Sequence, residues 1–241
     1  MIITNTIFVI NFNPISDLKK KFVFSSDDLN QHFNEPTILP IPENAPDDIP
    51  RIICQSKNGH SELTITKMSI QLHTRYDNEY QNDWEKCKLY LILKIHTIIE
   101  LLTRMDCIFG FSGLTTQVLE DSTENNGTKD LIDKFCRTKY SSDIYDFAQK
   151  IAIVKDNKYF INYSINNVRT YKNNESLLKP GFLSNELGNN IGIVLDINNR
   201  YDYNYNKNFH SDEESIKKIL DLTSNHILNL PELLEKGALN I

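Results

Sequence analysis

No Cys-x-x-C pair occurs in this chain, and the spacings of Cys54, Cys87, Cys107 and Cys136 match no zinc site. A disulfide framework is also out of place in a chain of 241 residues, which is long enough to bury a real core. Reduced thiols filling that core are the expectation. Long apolar runs are missing as well. The nearest, residues 89–102, is broken by Lys94, His96 and Glu100, so no membrane span is expected. The start, Met1-Ile2-Ile3-Thr4, lacks the charged opening and continuous apolar core of a signal peptide, which makes the cytoplasm the expected location. Basic clusters are rare. Lys19-Lys20-Lys21 is the one run, and a net charge of -6 argues against nucleic acid as a partner, since such binding rests on neutralised phosphates.

Catalytic signatures are absent too. The histidines, at 32, 60, 73, 96, 210 and 226, form no pair with metal-ligand spacing and a carboxylate partner. Gly110-Phe111-Ser112-Gly113 departs from the G-x-S-x-G nucleophile elbow, because Leu114 stands where the second glycine belongs. A bulge or bend at glycine is the expected use of that stretch. No catalytic residue, metal or cofactor is therefore assigned, and the balance leans away from an enzyme.

What is present reads as a globular α+β chain, with 40% hydrophobic and 24% charged residues. Residues 7–12 read as a strand buried on both faces. Ser26-Asp27-Asp28 offers a cap for a short helix through Phe33. Residues 36–50 hold five of the eight prolines and read as a polyproline connector. Residues 51–66 form a hairpin turning at Asn58-Gly59. A two-residue type I′ turn there places Cys54 opposite Leu63, Ile52 opposite Ile65 and Gln55 opposite Glu62. After a bulge or tight turn at Lys67-Met68, residues 68–77 alternate as a half-exposed antiparallel strand. A long helix follows over residues 84–105, with Leu91, Ile92, Ile95, Ile98, Ile99 and Leu102 inward and Lys86, Lys94, Thr97, Glu100 and Arg104 outward.

The second half repeats this order. Residues 107–119 read as a strand, 121–127 as a polar seam and 128–136 as a short helix. Residues 151–165 form a hairpin turning at Asp156-Asn157, and a long polar connection spans 168–190. Residues 191–205 alternate again, with Ile191, Ile193, Leu195, Ile197, Tyr201, Tyr203 and Tyr205 on one face. Ser211-Asp212-Glu213-Glu214 opens the last long helix as a capping box, with Ile216, Leu220, Thr223, Ile227 and Leu230 as its inner stripe. Pro231 begins a terminal helix that Gly237 closes. Arg75-Tyr76-Asp77 and Arg200-Tyr201-Asp202 each precede a helix. This echo reads as an internal duplication of two α+β halves, residues 1–120 and 121–241, either distinct or joined in one continuous domain. Each half would carry mostly antiparallel sheet and end in a long helix packed on it.

Residues 7–14, the strand from Ile70 to Tyr76 leading to Trp84, and Gly192-Ile193-Val194-Leu195-Asp196-Ile197-Asn198 before a capped helix carry a resemblance. In these, the chain resembles a sporadically distributed family of uncharacterised bacterial proteins of similar length. The resemblance implies an α+β fold with two related halves and the patchy occurrence of mobile-element or defence genes. It carries over no active-site residue.

Six residues are candidates for binding. His73, Arg75 and Asp77 share one strand face, and Asp196, Arg200 and Asp202 share another. As neighbours, the two strands would make a polar groove in which arginine grips a carboxylate or phosphate. A solvated sheet face with cross-strand Arg–Asp pairs is the simpler alternative, and it is preferred. Tyr201, Tyr203 and Tyr205 evoke a base-stacking platform, which the acidic balance disfavours. The expected function is thus non-enzymatic binding of a macromolecule, as an accessory or regulatory protein of a prokaryotic defence or mobile-element module. Its partner would be a protein or a second copy of the chain. The alternative is a small-molecule binder or enzyme with a pocket between a sheet and the helix at 84–105.

Overall fold

Nine segments among the described residues are strands of one sheet, and the longer ones alternate buried with partly exposed positions. They are β1 (Ile2–Phe12), β2 (Thr37–Ile38), β3 (Ile52–Gln55), β4 (Ser61–Ile65), β5 (Ser69–Arg75), β6 (Phe109–Glu120), β7 (Ala148–Lys155), β8 (Tyr159–Tyr171) and β9 (Glu186–Asn198). The computed structural model describes residues 1–121, 126–137, 143–171 and 186–237. Strand order is β2-β3-β4-β5-β1-β6-β9-β8-β7, and every neighbouring pair is antiparallel. β1 and β6 lie at the centre, with β5, β4 and β3 on one side and β9, β8 and β7 on the other. The fold is α+β with an antiparallel sheet. The helices are α1 (Leu18–Ser25), α2 (Trp84–Arg104), α3 (Gly127–Phe135), α4 (Arg200–Tyr205), α5 (Glu213–Leu228) and α6 (Leu230–Lys236). No helix among the described residues is long and apolar enough to cross a membrane.

Phe8, Ile10, Ile70, Leu72, Leu114, Ile161, Leu195 and Ile197 are buried on one face of the sheet, beneath the helices. The alternate residues, including Ile7, Val9, Phe160 and Val194, are only half-buried. One face is therefore open, and β1 is not covered on both sides as its apolar run predicts. Its Ile7 and Val9 gain shelter from neighbouring strands instead of from a second layer.

The first hairpin has the predicted register, Ile52↔Ile65, Cys54↔Leu63 and Gln55↔Glu62. Its turn differs. Only Gly59 takes positive φ, at 76°, and Asn58 stays in the ordinary region. Its side chain carries the turn instead: Asn58 Oδ1 accepts from Ser56 Oγ at 2.8 Å and from Tyr90 Oη on α2 at 3.0 Å. Asp156 and Asn157, the weaker turn signal, both adopt positive φ, 54° and 53°. At Lys67-Met68 the chain makes a tight turn, with Thr66 N donating to Ser69 O at 2.9 Å. The β1–β6 ladder shifts register between Ile10↔Ser112 and Phe12↔Phe109, a bulge at Gly110-Phe111.

Two expected elements changed. Ser26 precedes a 3₁₀ turn, Asp27–Gln31, without making a side-chain cap bond, and α1, which the lysine run had disguised, comes before it. Residues 191–205 are not one strand: β9 stops at Asn198, and Arg200–Tyr205 is helix. Asn198 Oδ1 accepts from Arg200 N at 3.1 Å, an Asx turn that ends the strand. The Pro36–Pro50 segment contributes edge strand β2 and is held by Arg51, which is fully buried and donates from Nη2 to Ala45 O at 2.9 Å and Pro46 O at 3.2 Å. The connection at Lys179-Pro180-Gly181 lies outside the described residues, as does most of the polar seam.

Helices α2 and α5 pack antiparallel. Trp84 Nε1 donates to Ser224 Oγ at 2.9 Å near one end, and Lys88 Nζ meets Asp221 Oδ1 at 3.2 Å next to it. The inner stripe of α5 is buried as expected, but its cap is Asp212, whose side chain accepts from Ser215 N. Trp84→Phe keeps an aromatic side chain but removes the indole's buried donor and part of its ring volume, while Ser224 retains its bond to Leu220 O. A loss of about 1 kcal/mol in urea unfolding is expected, and an unchanged midpoint would count against this tie between the helices.

Candidate functional site

The six candidate residues divide into separate groups. His73 and Arg75 stand on the open face of β5, where with Gln55, His60 and Glu62 they line a shallow hollow of about 220 Å³. Asp77 lies just past the strand, with Oδ2 3.7 Å from His60 Nε2. Asp196 sits elsewhere. One row across the sheet reads Glu62, His73, Ile7, Thr115, Asp196 and Asn162. Strands β1 and β6 therefore separate the two groups, and three strand spacings put His73 roughly 14 Å from Asp196. The postulated groove between neighbouring strands does not form.

Asp196 is held by neutral donors. Thr115 Oγ1 donates to its Oδ1 at 3.1 Å, and Asn162 Nδ2 and Asn198 Nδ2 both donate to its Oδ2 at 2.9 Å. That arrangement fixes the carboxylate in place and offers it no arginine. Arg200 and Asp202 belong to α4. Arg200 lies over the Phe111 ring, its Cζ 5.1 Å from the centroid, and Asp202 N donates to Lys158 O at 3.1 Å. Tyr201 and Tyr205 pack on each other at 4.6 Å. Among the described residues no group of three or more His, Cys, Asp or Glu is placed to hold a metal.

Three cysteines and the serine of the altered elbow are held in structural roles. Burial pushes the Cys54 and Cys87 thiols up to about 12 and Cys107 to about 11, far from the thiolate form. Ser112, the serine of the altered elbow, is fully buried, accepting from Asn199 Nδ2 at 3.2 Å and sharing a 2.7 Å bond with Ser211 Oγ. Its role is to fasten β6 to the start of α5.

Two features were missed by helical periodicity. The first is Lys94, assigned to the outer side of α2 but only 6% exposed. The 3₁₀ turn and the residues after it cover it. Its Nζ donates to His32 O at 3.1 Å and lies 5.0 Å from the Phe33 ring centroid and 5.3 Å from that of Tyr90. No carboxylate among the described residues pairs with it, and burial lowers its pKa to about 8.

The second is the outward stripe of α2. Ile92, expected inward, is 39% exposed, and with Leu89 at 63% and Leu93 at 58% it forms a contiguous apolar patch. Beside this patch, between α2 and α5, runs a groove of about 300 Å³ lined by Ile92, Ile95, Ile99, Ile216 and Leu220. Lys88, Glu213, Lys217 and Asp221 stand along its margin. The sequence signal was there, because Leu89, Ile92, Leu93 and Ile99 widen the apolar arc beyond what one sheet contact needs.

No protein-family model matches the chain, and no curated protein matches it either.

Proposed function

We propose that this protein is a non-enzymatic binding protein that engages a protein partner through the outer face of its helix layer, centred on α2. The observation that carries the reading is the exposed run Leu89, Ile92 and Leu93 beside the α2–α5 groove. Scattered exposed leucines are ordinary, whereas adjacent ones bordering an apolar groove mark interaction surfaces. An amphipathic helix laid against such a groove is the recognition mode that suits its shape. The small-molecule alternative draws no comparable support, since Leu91, Ile98 and Leu102 on the inner side of α2 keep no exposed surface.

The resemblance at residues 7–14, 70–76 and 192–198 supports an accessory or regulatory role in a prokaryotic defence or mobile-element module, exercised in the cytoplasm. For the two halves as duplicated units, the support is the strand order. β3, β4 and β5 lead to α2 on one side of the central β1–β6 pair, and β7, β8 and β9 lead to α4 and α5 on the other.

Affinity capture from the native host, run in parallel with wild type and the L89E/L93E double variant, tests the function. Both positions are exposed, so the variant keeps its fold and its thermal unfolding. A protein recovered with wild type and depleted about tenfold or more with the variant is expected. Equal recovery with both would overturn the reading.

A further inference from the structure

We infer that the occupant of the α2 surface is a second copy of this chain, its α2 running antiparallel to the first about a two-fold axis at Leu93. This rests on the docking reading above and adds its partner. Charge placement along α2 selects this occupant. Lys86 and Glu100 both border the apolar stripe, each two helical turns from Leu93, one toward the N-terminus and one toward the C-terminus. Antiparallel pairing of two identical helices about Leu93 brings Lys86 of each copy to Glu100 of the other, so the two contacts arise together. Leu93 then meets its own copy on the axis, and Leu89 falls level with position 97 of the second copy, beside its Leu93, His96 and Glu100. Parallel pairing instead sets Lys86 against Lys86 and Glu100 against Glu100, which like charge opposes.

The two groups are available for this contact. Lys86 is exposed and has no ion partner among the described residues, and Glu100, its side chain 44% exposed, has only His96 within its own helix, at 3.4 Å. The α2–α5 groove lies alongside, so α5 of each copy flanks the joined α2 pair. The result is two helix layers, α2 with α5 from each copy, stacked face to face with Leu89, Ile92 and Leu93 at the seam. The apolar area is modest, which suits an exchanging dimer and not a permanent one.

Sedimentation velocity of the purified full chain from about 1 to 200 μM decides the matter, with wild type, K86E, E100K and an equimolar mixture of the two variants. Wild type is expected to pass from monomer to dimer across this range. Each variant alone should dimerise at least tenfold more weakly, because both cross-copy contacts become repulsive. Their mixture should regain wild-type association as a heterodimer. In it the two reversed charges face each other at one contact, and the other contact keeps Lys86 opposite Glu100. Wild type remaining monomeric throughout, or a mixture no tighter than either variant alone, overturns the second copy as occupant. Neither result touches the docking surface itself, which the L89E/L93E capture tests independently.

Discussion

Replacing Asn199 by alanine is expected to destabilise the fold by about 2–4 kcal/mol, because its side chain holds three buried hydrogen bonds. Asn199 stands where β9 gives way to α4, and it is 1% exposed. Its Oδ1 accepts from Ser112 N at 2.7 Å, and its Nδ2 donates to Ser211 Oγ at 2.8 Å and Ser112 Oγ at 3.2 Å. The two serine hydroxyls close the circuit at 2.7 Å. Alanine leaves a buried backbone N–H without its acceptor and both hydroxyls short of a partner. Because the three residues act as a unit, Ser211→Ala alone should lose about 1 kcal/mol, and the double variant should lose less than the sum of the two. Equilibrium urea unfolding of the single and double variants measures all three. Strict additivity would mean that Asn199 and Ser211 do not act through a shared network.

The second large effect is a pH dependence carried by Lys94. Its pKa falls from 10.5 to about 8 on folding, chiefly through burial. Below pH 8 both folded and unfolded chains hold the proton, and the folded state bears the full penalty of the buried cation. Between about pH 8 and 10.5 the unfolded chain keeps the proton while the folded chain releases it, so folded-state stability rises with pH. Lys94→Met removes this titration and also the bond to His32 O. The difference in stability between wild type and K94M should therefore shift in favour of wild type by about 2–3 kcal/mol from pH 7 to pH 10. Taking the difference cancels other groups that titrate in the range. Parallel profiles for the two proteins would show that the lysine reaches solvent in the folded state.

Much of the scaffold was legible in the residues. Strand alternation and the Asn58-Gly59 turn predicted the first hairpin's register, and helical spacing predicted the buried stripe of α5 and the stop at Gly237. These features depend on neighbours close in sequence. Failures came where distant parts decide. His73 and Asp196 do share one face of one sheet, but β1 and β6 lie between them, and strand order is not written in either strand's own pattern. Lys94 was placed outward because charge normally seeks water, and only the 3₁₀ turn from another part of the chain covers it. The tyrosine alternation at 201–205 reads as a strand until the Asn198 side chain folds back on the next turn. The α2 stripe was visible as excess apolar surface, yet without the sheet in place there was no telling which part of the arc would remain uncovered.

In the proposed function the helix layer, and not the open sheet face, is the side that meets a partner. A photoreactive phenylalanine analogue placed at Leu93, and separately at Val154 on the open face, tests this directly in the native host. The two positions are comparably exposed, at 58% and 42%, so reach alone does not distinguish them. A discrete protein adduct is expected from position 93, at twice the chain's mass where the second copy is the occupant, and none from position 154. Adducts from 154 with none from 93 would contradict it and move the binding surface to the sheet.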